Sequence, residues 1–184
     1  MAETNIEPVL ASETIELRPL QLEDFDGLYA AAQDPKTWAG HPAKNRYQRD
    51  VFEKYFAFLL SSGGTLAIID KENSKIIGCS RYYYAPIMPD QLSIGFTFLS
   101  CDYWGGHTNF AVKKLMLDHA FASVGDVWFH INPHNVRSQK ATAKLGAKHI
   151  RTETLDLSGA AEKWMLFQLL KTDWECTVAN QGTQ

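Results

Sequence analysis

The alternation and recurrence of apolar residues along the chain predict an α/β (α+β) protein. The segment "ETIELRPL" (13–20) alternates apolar and polar residues and stops at a proline, as a half-buried strand does. In "QLEDFDGLYAAA" (21–32) and "QRDVFEKYFAFLLSS" (48–62), apolar residues recur at helical spacing, which predicts two helices. The segment between them, "DPKTWAGHPAKNRY" (34–47), contains prolines and a glycine and is predicted to be a loop.

The middle of the chain has strand patterns. The segments "TLAIID" (65–70), "IIGCSRYYY" (76–84) and "QLSIGFTFL" (91–99) are rich in β-branched and aromatic residues. A short polar turn joins the first two, which predicts a hairpin. We therefore expect three neighbouring antiparallel strands.

The clearest helical pattern of the chain begins at Thr108. Its apolar stripe consists of Val112, Leu115, Met116, His119 and Ala120. The same spacing predicts that the polar residues Lys113, Lys114 and Asp118 face solvent.

The last third returns to strands. "DVWFHI" (126–131) predicts a strand, and "NVRSQKATAKLG" (135–146) predicts a short helix that ends at a glycine. "AKHIRTETLDL" (147–157) and "EKWMLFQLL" (162–170) predict a final pair of strands. After Asp173 the tail is predicted to be frayed.

Taken together, the elements predict one domain over residues 1–184. Its core spans about residues 13–173, after a short polar leader. The order of elements predicts a mixed, mostly antiparallel sheet of about seven strands flanked by about four helices.

Composition narrows the classes of function. Lys plus Arg number 18 and Asp plus Glu number 21, for a net charge of -3, so a nucleic-acid partner is not expected. The three cysteines have no paired or metal-ligand spacing, which indicates a reducing compartment, the cytoplasm, and no metal site. No apolar run approaches the ~20 residues of a membrane span, so no membrane partner is expected.

A pair of glycines separates the strand at 91–99 from the helix at Thr108. The first N–H groups of a helix lack intrahelical partners and attract anions. Gly105 and Gly106 lack the Cβ atoms that would keep a phosphate away, and Thr108 or Asn109 is suited to be the N-cap. The two readings, a phosphate cradle and a plain tight turn, are both compatible with this stretch.

A second polar cluster follows the strand at 126–131. Asn135 and Ser138 open the next helix, and Lys144 stands two residues before the glycine that ends it. Together, "YWGGHT" (103–108) and "NVRS" (135–138) with "KLG" (144–146) resemble the motifs of the GNAT acetyltransferase superfamily. The similarity extends over nearly the whole chain and is greatest to the branch of ribosomal-protein N-terminal acetyltransferases.

This resemblance implies the GNAT fold, acetyl-CoA as donor and a primary amine as acceptor, with direct attack in a ternary complex. The residues implied or expected to bind coenzyme A are Phe98, Leu99, Trp104, Gly105, Gly106, His107, Thr108, Asn109, Asn135, Ser138 and Lys144. Two positions depart from the family pattern. His107 replaces the second glycine of the loop, and Thr142 replaces a tyrosine that many relatives use as general acid.

The resemblance also implies that a backbone N–H at Phe98 or Leu99 meets the developing oxyanion. For the leaving sulfur, Ser138 is the first choice as donor and Asn135 the second. The base stays unassigned between water, the peptide entrance, His130 and His134. For the two histidines the favoured interpretation is structural, with His130 as an ordinary strand residue and His134 as a solvated loop residue. A zinc site formed by the two histidines is disfavoured, because Pro133 lies between them.

The acceptor pocket is expected to draw on the loop at 34–47 and on the tyrosine-rich strand. The candidates are Trp38, His41, Arg81 and Tyr83. Alternation sends some of the tyrosines of the strand into the core, so for them packing has at least equal weight. Neither the amine nor the choice between monomer and homodimer follows from the sequence. The alternative function is a catalytically weak module that binds or senses acyl-CoA.

Overall fold

The protein forms one eight-stranded sheet with helices on both faces. A computed structural model of the chain describes residues 4–157 and 159–181. The strands are β1 Leu10–Ala11, β2 Ile15–Pro19, β3 Thr65–Asp70, β4 Lys75–Ala85, β5 Met88–Leu99, β6 Asp126–Ile131, β7 Lys148–Asp156 and β8 Ala161–Leu170. The helices are α1 Phe25–Ala32, α2 Pro35–Trp38, α3 Arg49–Ser61, α4 Thr108–Ala120, α5 Val136–Ala143 and α6 Lys171–Gln181.

The strand order is β1-β2-β3-β4-β5-β6-β8-β7. Every neighbouring pair is antiparallel except β5 and β6, which are parallel. The predicted mixed, mostly antiparallel sheet is therefore confirmed. The seven expected strands are present, and the short β1 is an eighth within the leader. Helix α2 lies inside the segment predicted to be a loop.

Strands β5 and β6 are paired at a single position, Ser93 with Trp128. Just beyond it, β5 contains a bulge: Cys79 pairs with Phe98 and Arg81 with Gly95, so one residue of β4 faces two of β5. Phe96, in the bulge, has φ 52°. Because a bulge bends its strand, β5 turns away from β6, and the sheet opens between them.

The two faces of the sheet carry different cores. On one face, α4 contributes Val112, Met116 and Leu117 to a cluster that also includes Trp174 of α6. On the other face, α1, α2 and α3 pack an aromatic cluster that includes Trp38 and Phe52. In the described part of the chain, none of the helices combines the length and apolar character needed to cross a membrane.

Lys113 does not face solvent, so that part of the helix prediction was wrong. The side chain is 7% exposed, and its Nζ donates to Ser80 Oγ (3.1 Å) and Thr97 Oγ1 (2.7 Å). The buried stripe of α4 consists of Val112, Lys113, Met116, Leu117 and Ala120. It is rotated from the predicted stripe, because the polar hydroxyls of β4 and β5 accept a lysine at a position where an apolar contact was expected. Lys114 and Asp118 are exposed and paired with each other.

Both ends of the described chain pack against the domain. The tail predicted to be frayed after Asp173 is helix α6, whose Trp174 is 2% exposed and donates from Nε1 to Asp118 Oδ1 (2.9 Å). The polar leader is also held, since Thr4 Oγ1 bonds Ser123 Oγ (2.7 Å) and Glu7 accepts from Gly64 N–H (3.0 Å). Burial of one large indole stabilises α6 despite its polar sequence.

Candidate active site

The opening between β5 and β6 is where the two predicted motifs meet. Helix α4 follows β5 and helix α5 follows β6, so both helices begin at the carboxyl ends of two parallel neighbours. Such an edge is the usual place for ligands in open α/β sheets. The Gly105–Gly106 turn and the Asn135–Ser138 segment therefore form two sides of one cleft.

The turn before α4 leaves its backbone donors free. Gly105 has φ 75°, and a Cβ on Gly105 or Gly106 would meet no other part of the protein within 4 Å. The first bond of the helix runs from Ala111 N–H to His107 O (2.9 Å). In the part of the chain that the structure describes, the N–H groups of residues 105–110 have no protein acceptor. These N–H groups, with the positive end of the helix dipole, are suited to bind an anion.

His107, not Thr108 or Asn109, is the N-cap of α4, and its side chain forms no capping bond. Thr108 and Asn109 are the first two residues of the helix. Their backbone N–H groups point out of its first turn, as a phosphate contact requires. The side chain of His107 is exposed beside the turn.

Trp104 and Arg137 connect the two sides of the cleft. The Arg137 guanidinium carbon lies 3.9 Å from the centroid of the Trp104 ring, and Arg137 also donates to Thr37 O (3.2 Å). Trp104 Nε1 donates to Leu99 O (3.0 Å). Partial burial lowers the pKa of Arg137. Sequence reasoning did not identify Arg137, whose position inside the helix motif was the only available signal.

Asn135 and Ser138 have different tasks at the start of α5. Asn135 is the N-cap, and its Oδ1 accepts from Ser138 N–H (3.2 Å). The Ser138 hydroxyl has no hydrogen-bond partner within the described residues, so it is free to donate to a ligand. Lys144 is the C-cap of α5, at the far end of the helix from Asn135. At 1.5 Å per residue the two are separated by about 13 Å along the axis of α5.

The backbone N–H groups of Phe98 and Leu99, the two proposed oxyanion donors, point to opposite sides of β5. Ser100 N–H donates to Ile77 O across to β4 (2.8 Å). Because peptide directions alternate along a strand, Leu99 N–H points to the other side, toward the cleft, and Phe98 N–H points to β4. Leu99 O, which accepts from Trp104, lies on the same side. Leu99 is therefore better oriented than Phe98.

A small cavity lies on the opposite side of β5 from α4. Its volume is about 180 Å³, and its walls are Phe58, Ser62, Arg81, Tyr83, Tyr84, Pro86, Asp156 and Leu157. Arg81 donates to Gly63 O (2.8 Å) and Ser62 O (3.0 Å) at the end of α3. A larger surface hollow of about 470 Å³ lies between α6 and the other end of α4, away from the cleft.

Two of the four predicted substrate residues line this cavity, and two do not. Arg81 and Tyr83 are in its wall. Trp38 is 1% exposed and donates to Ala32 O, so the structure places it in the core. His41 lies next to Trp38, with ring centroids 5.5 Å apart. Burial, assisted by Arg46 and Arg137, lowers the pKa of His41 to about 3.

The sequence matches the family model for the acetyltransferase (GNAT) domain over residues 14–148. The chain belongs to the GNAT acetyltransferase family. No curated protein matches it in sequence. The predicted superfamily is confirmed.

Solved structures of GNAT proteins share the fold. A GCN5-related N-acetyltransferase from Brucella melitensis has 16% identity and a TM-score of 0.78, over 95% of this chain and 84% of that one. Mycobacterium smegmatis RimJ in complex with CoA-disulfide has 16% identity and a TM-score of 0.66, over 95% and 93%. Ribosomal-protein-S5-alanine acetyltransferase from Vibrio fischeri has 18% identity and a TM-score of 0.63, over 91% and 99%. The last is an enzyme of the branch that the sequence resembles.

The residues of this GNAT domain fit a coenzyme A thioester. The free N–H groups at residues 105–110 suit a diphosphate, and the open space at Gly105 and Gly106 admits it close to the backbone. The unpaired edge of β5 beyond Ser93 offers peptide groups to an amide-containing arm. No group of His, Cys, Asp and Glu in residues 4–157 and 159–181 has the arrangement of a metal site.

Proposed function

We propose that this GNAT domain transfers the acetyl group of acetyl-CoA to a primary amine. The observation that carries the proposal is the row of free N–H groups at 105–110 beside the opening between β5 and β6. The diphosphate of acetyl-CoA binds at the turn, and its thioester arm extends along β5 to the small cavity. The free cysteines Cys79, Cys101 and Cys176 suit action in the cytoplasm.

The reaction proceeds by direct attack in a ternary complex. The amine nitrogen forms a bond to the carbonyl carbon, the carbon–sulfur bond breaks, and the nitrogen loses a proton. Leu99 N–H donates to the carbonyl oxygen as negative charge develops on it. The Ser138 hydroxyl donates to the leaving sulfur, and Asn135 orients Ser138 through the cap. Thr142, at the position of the tyrosine in many relatives, is 6% exposed and does not take the acid role.

The acceptor is a small primary amine or the first residue of a peptide N-terminus. A cavity of about 180 Å³ has room for a short side chain and not for a large folded surface. Aromatic walls, with Arg81 and Asp156 as charged groups, suit an acceptor with both apolar and polar parts.

The first experiment measures coenzyme binding. A ligand at 100 times its Kd adds about 2.7 kcal/mol to the free energy of unfolding, so acetyl-CoA is expected to raise the Tm. Gly105→Glu adds negative charge and a side chain at the turn and is expected to weaken binding at least tenfold. Gly159→Glu is the matched control, since Gly159 also has positive φ and open surroundings, on the β7–β8 turn. Equal affinities in both variants would contradict the binding mode.

The second experiment measures turnover as acetyl-CoA-dependent release of free thiol with a panel of small amines and peptide N-termini. Acceptor-dependent thiol release supports the transferase. Tight acetyl-CoA binding with no release for any acceptor would instead support the sensing module. Ser138→Ala is expected to lower kcat with little change in coenzyme Kd, because its hydroxyl acts on the departing sulfur.

A further inference from the structure

Two buried polar side-chain atoms in the described residues have no hydrogen-bond partner: Ser93 Oγ and His130 Nε2. Ser93 is 0% exposed and His130 is 7% exposed. Buried polar groups are nearly always paired, so each exception calls for an explanation such as a bound water, a ligand or a catalytic role. Both atoms belong to the two strands that border the cleft.

The two residues lie on the same face of the sheet, at the point where it opens. Ser93 is paired with Trp128, so their side chains share a face, and His130 follows two residues later on that face. Beyond Ser93 and Trp128 the strands have no further pairing. His130 is therefore at the start of the gap, on the side that carries the small cavity rather than the side of α4.

Tyr83 forms a hydrogen bond with Nδ1, the other nitrogen of the His130 imidazole. Its Oη lies 2.8 Å from His130 Nδ1, and both residues are buried. The Tyr83 ring crosses β5 above Gly95, where a Cβ would lie 3.0 Å from Cε1 and 3.2 Å from Oη. Gly95 thus leaves room for Tyr83 to reach from β4 to β6. Tyr83 also forms part of the cavity wall, so it connects the cavity to His130.

The surroundings of His130 keep the ring neutral. Burial, with a smaller contribution from Arg151, lowers its pKa to about 4, and Glu153 acts in the opposite direction. Arg151 and Glu153 are on β7 and pair with each other. On β4, Arg81 lies 5.4 Å from the centroid of the Tyr83 ring. At neutral pH a neutral imidazole has one nitrogen with a lone pair, which can accept a proton.

We infer that His130 is the catalytic proton acceptor for the amine, and that Tyr83 is its positioning residue. The assignment rests on the proposed function. Nδ1–H donates to Tyr83 Oη, which leaves the lone pair on Nε2. As the nitrogen–carbon bond forms, the proton of the amine passes to Nε2, directly or through one water. The carbon–sulfur bond breaks, the thiolate takes a proton from solvent while the Ser138 hydroxyl donates a hydrogen bond to the sulfur, and His130 releases its proton to solvent.

The low basicity of His130 is compatible with its role as proton acceptor. A neutral amine becomes positively charged when it attacks the carbonyl carbon, and its N–H group is then far more acidic than that of the free ammonium ion. The acceptor has to be within hydrogen-bond reach of the amine and unprotonated, and a pKa below the operating pH keeps His130 unprotonated. His134 lacks these features, because it is exposed and, among the described residues, only its backbone N–H is bonded, to Asn132 Oδ1.

The test compares His130→Gln, Tyr83→Phe and the control His149→Gln, an equal substitution at an exposed histidine of β7. Kcat, KM and coenzyme Kd are measured with the best acceptor of the panel. General base catalysis contributes about 10²- to 10⁴-fold, so kcat of His130→Gln is expected to fall at least 100-fold, with coenzyme Kd within twofold of wild type. Tyr83→Phe removes one hydroxyl without a change of shape and is expected to lower kcat about tenfold. His149→Gln is expected to match wild type.

A series of amines of decreasing basicity separates catalysis from structure. A less basic amine becomes more acidic when it attacks, and it depends less on a base to remove its proton. The fold-decrease of kcat in His130→Gln is therefore expected to shrink along the series. A uniform loss, or a kcat within threefold of wild type in both His130→Gln and Tyr83→Phe, would overturn the assignment. If His130→Gln does not fold, an unchanged kcat in Tyr83→Phe has the same meaning. A wild-type chain that binds acetyl-CoA and acetylates no amine would overturn the proposed function, and this assignment with it.

Discussion

Replacing Lys113 by methionine is expected to stabilise the protein at neutral pH. The ammonium is buried and bonds the hydroxyls of Ser80 and Thr97, and it forms no ion pair within the described residues. Burial lowers the pKa of Lys113 from 10.5 to about 7. At about 1.4 kcal/mol per pH unit, that gap corresponds to a cost of about 5 kcal/mol for the charged form. This is an upper bound, because the hydroxyl acceptors offset part of it.

The sign of the pH dependence follows from the two states. The unfolded lysine holds its proton up to about pH 10.5, whereas the folded one releases it near pH 7. Above pH 10.5 both states are neutral and the cost is absent. As the pH falls from 10.5 to 7 the cost grows, and below pH 7 it is constant. The free energy of unfolding of Lys113→Met is therefore expected to exceed that of wild type by about 1 to 4 kcal/mol at pH 7. The difference is expected to be smaller at pH 10.

Urea unfolding at pH 7, 8, 9 and 10 measures this difference. Lys114→Met is the matched control, because its side chain is 45% exposed and paired with Asp118, so no comparable trend is expected. A Lys113→Met protein that is less stable than wild type by the same amount at every pH would refute the reasoning. It would mean that the two hydroxyls compensate fully for burial of the charge.

Three further substitutions test the packing of the fold and the coenzyme site. Gly78→Ala would place a Cβ 2.0 Å from Phe98 O; we expect a loss of about 3 kcal/mol or more in urea unfolding, and wild-type stability would contradict the close approach. Trp174→Ala leaves a cavity under α6 and is expected to lower the free energy of unfolding by about 3 to 5 kcal/mol, also measured by urea unfolding. Trp104→Ala removes the ring on which Arg137 lies, and we expect coenzyme A binding to weaken about 3- to 10-fold by calorimetry; unchanged binding would exclude Trp104 from the site.

The order of elements was predictable because hydrophobic periodicity reports which face of each segment is buried. The segment 65–99 has the composition of strands, and the structure contains β3, β4 and β5 there. Helix α6 was missed because its stability does not come from an amphipathic stripe. It depends on one buried residue, Trp174, and on contacts with α4 that lie far away in sequence. The packing of the leader depends on equally distant partners such as Ser123.

The coenzyme side of the candidate site was partly predictable. Glycines before a helix and an N-cap residue after a strand are local signals, and both occur where expected, at Gly105 and at Asn135. Their meeting at one cleft is not local, because it depends on the parallel pairing of β5 with β6. The acceptor side was less predictable. The same aromatic composition is compatible with a core residue, as at Trp38, and with a cavity wall, as at Tyr83.

The bulge in β5 accounts for features on both faces of the sheet. Phe96 holds φ 52° without being glycine, a conformation that no propensity scale favours. Its ring packs 5.3 Å from Tyr83 on one face, while the next residue, Thr97, accepts from Lys113 on the other. The same irregularity turns β5 away from β6 and opens the cleft. Backbone strain of this kind persists only where its surroundings impose it. The buried lysine, the Tyr83 ring and the opening of the cleft thus all adjoin one local irregularity, which the pattern of apolar residues does not predict.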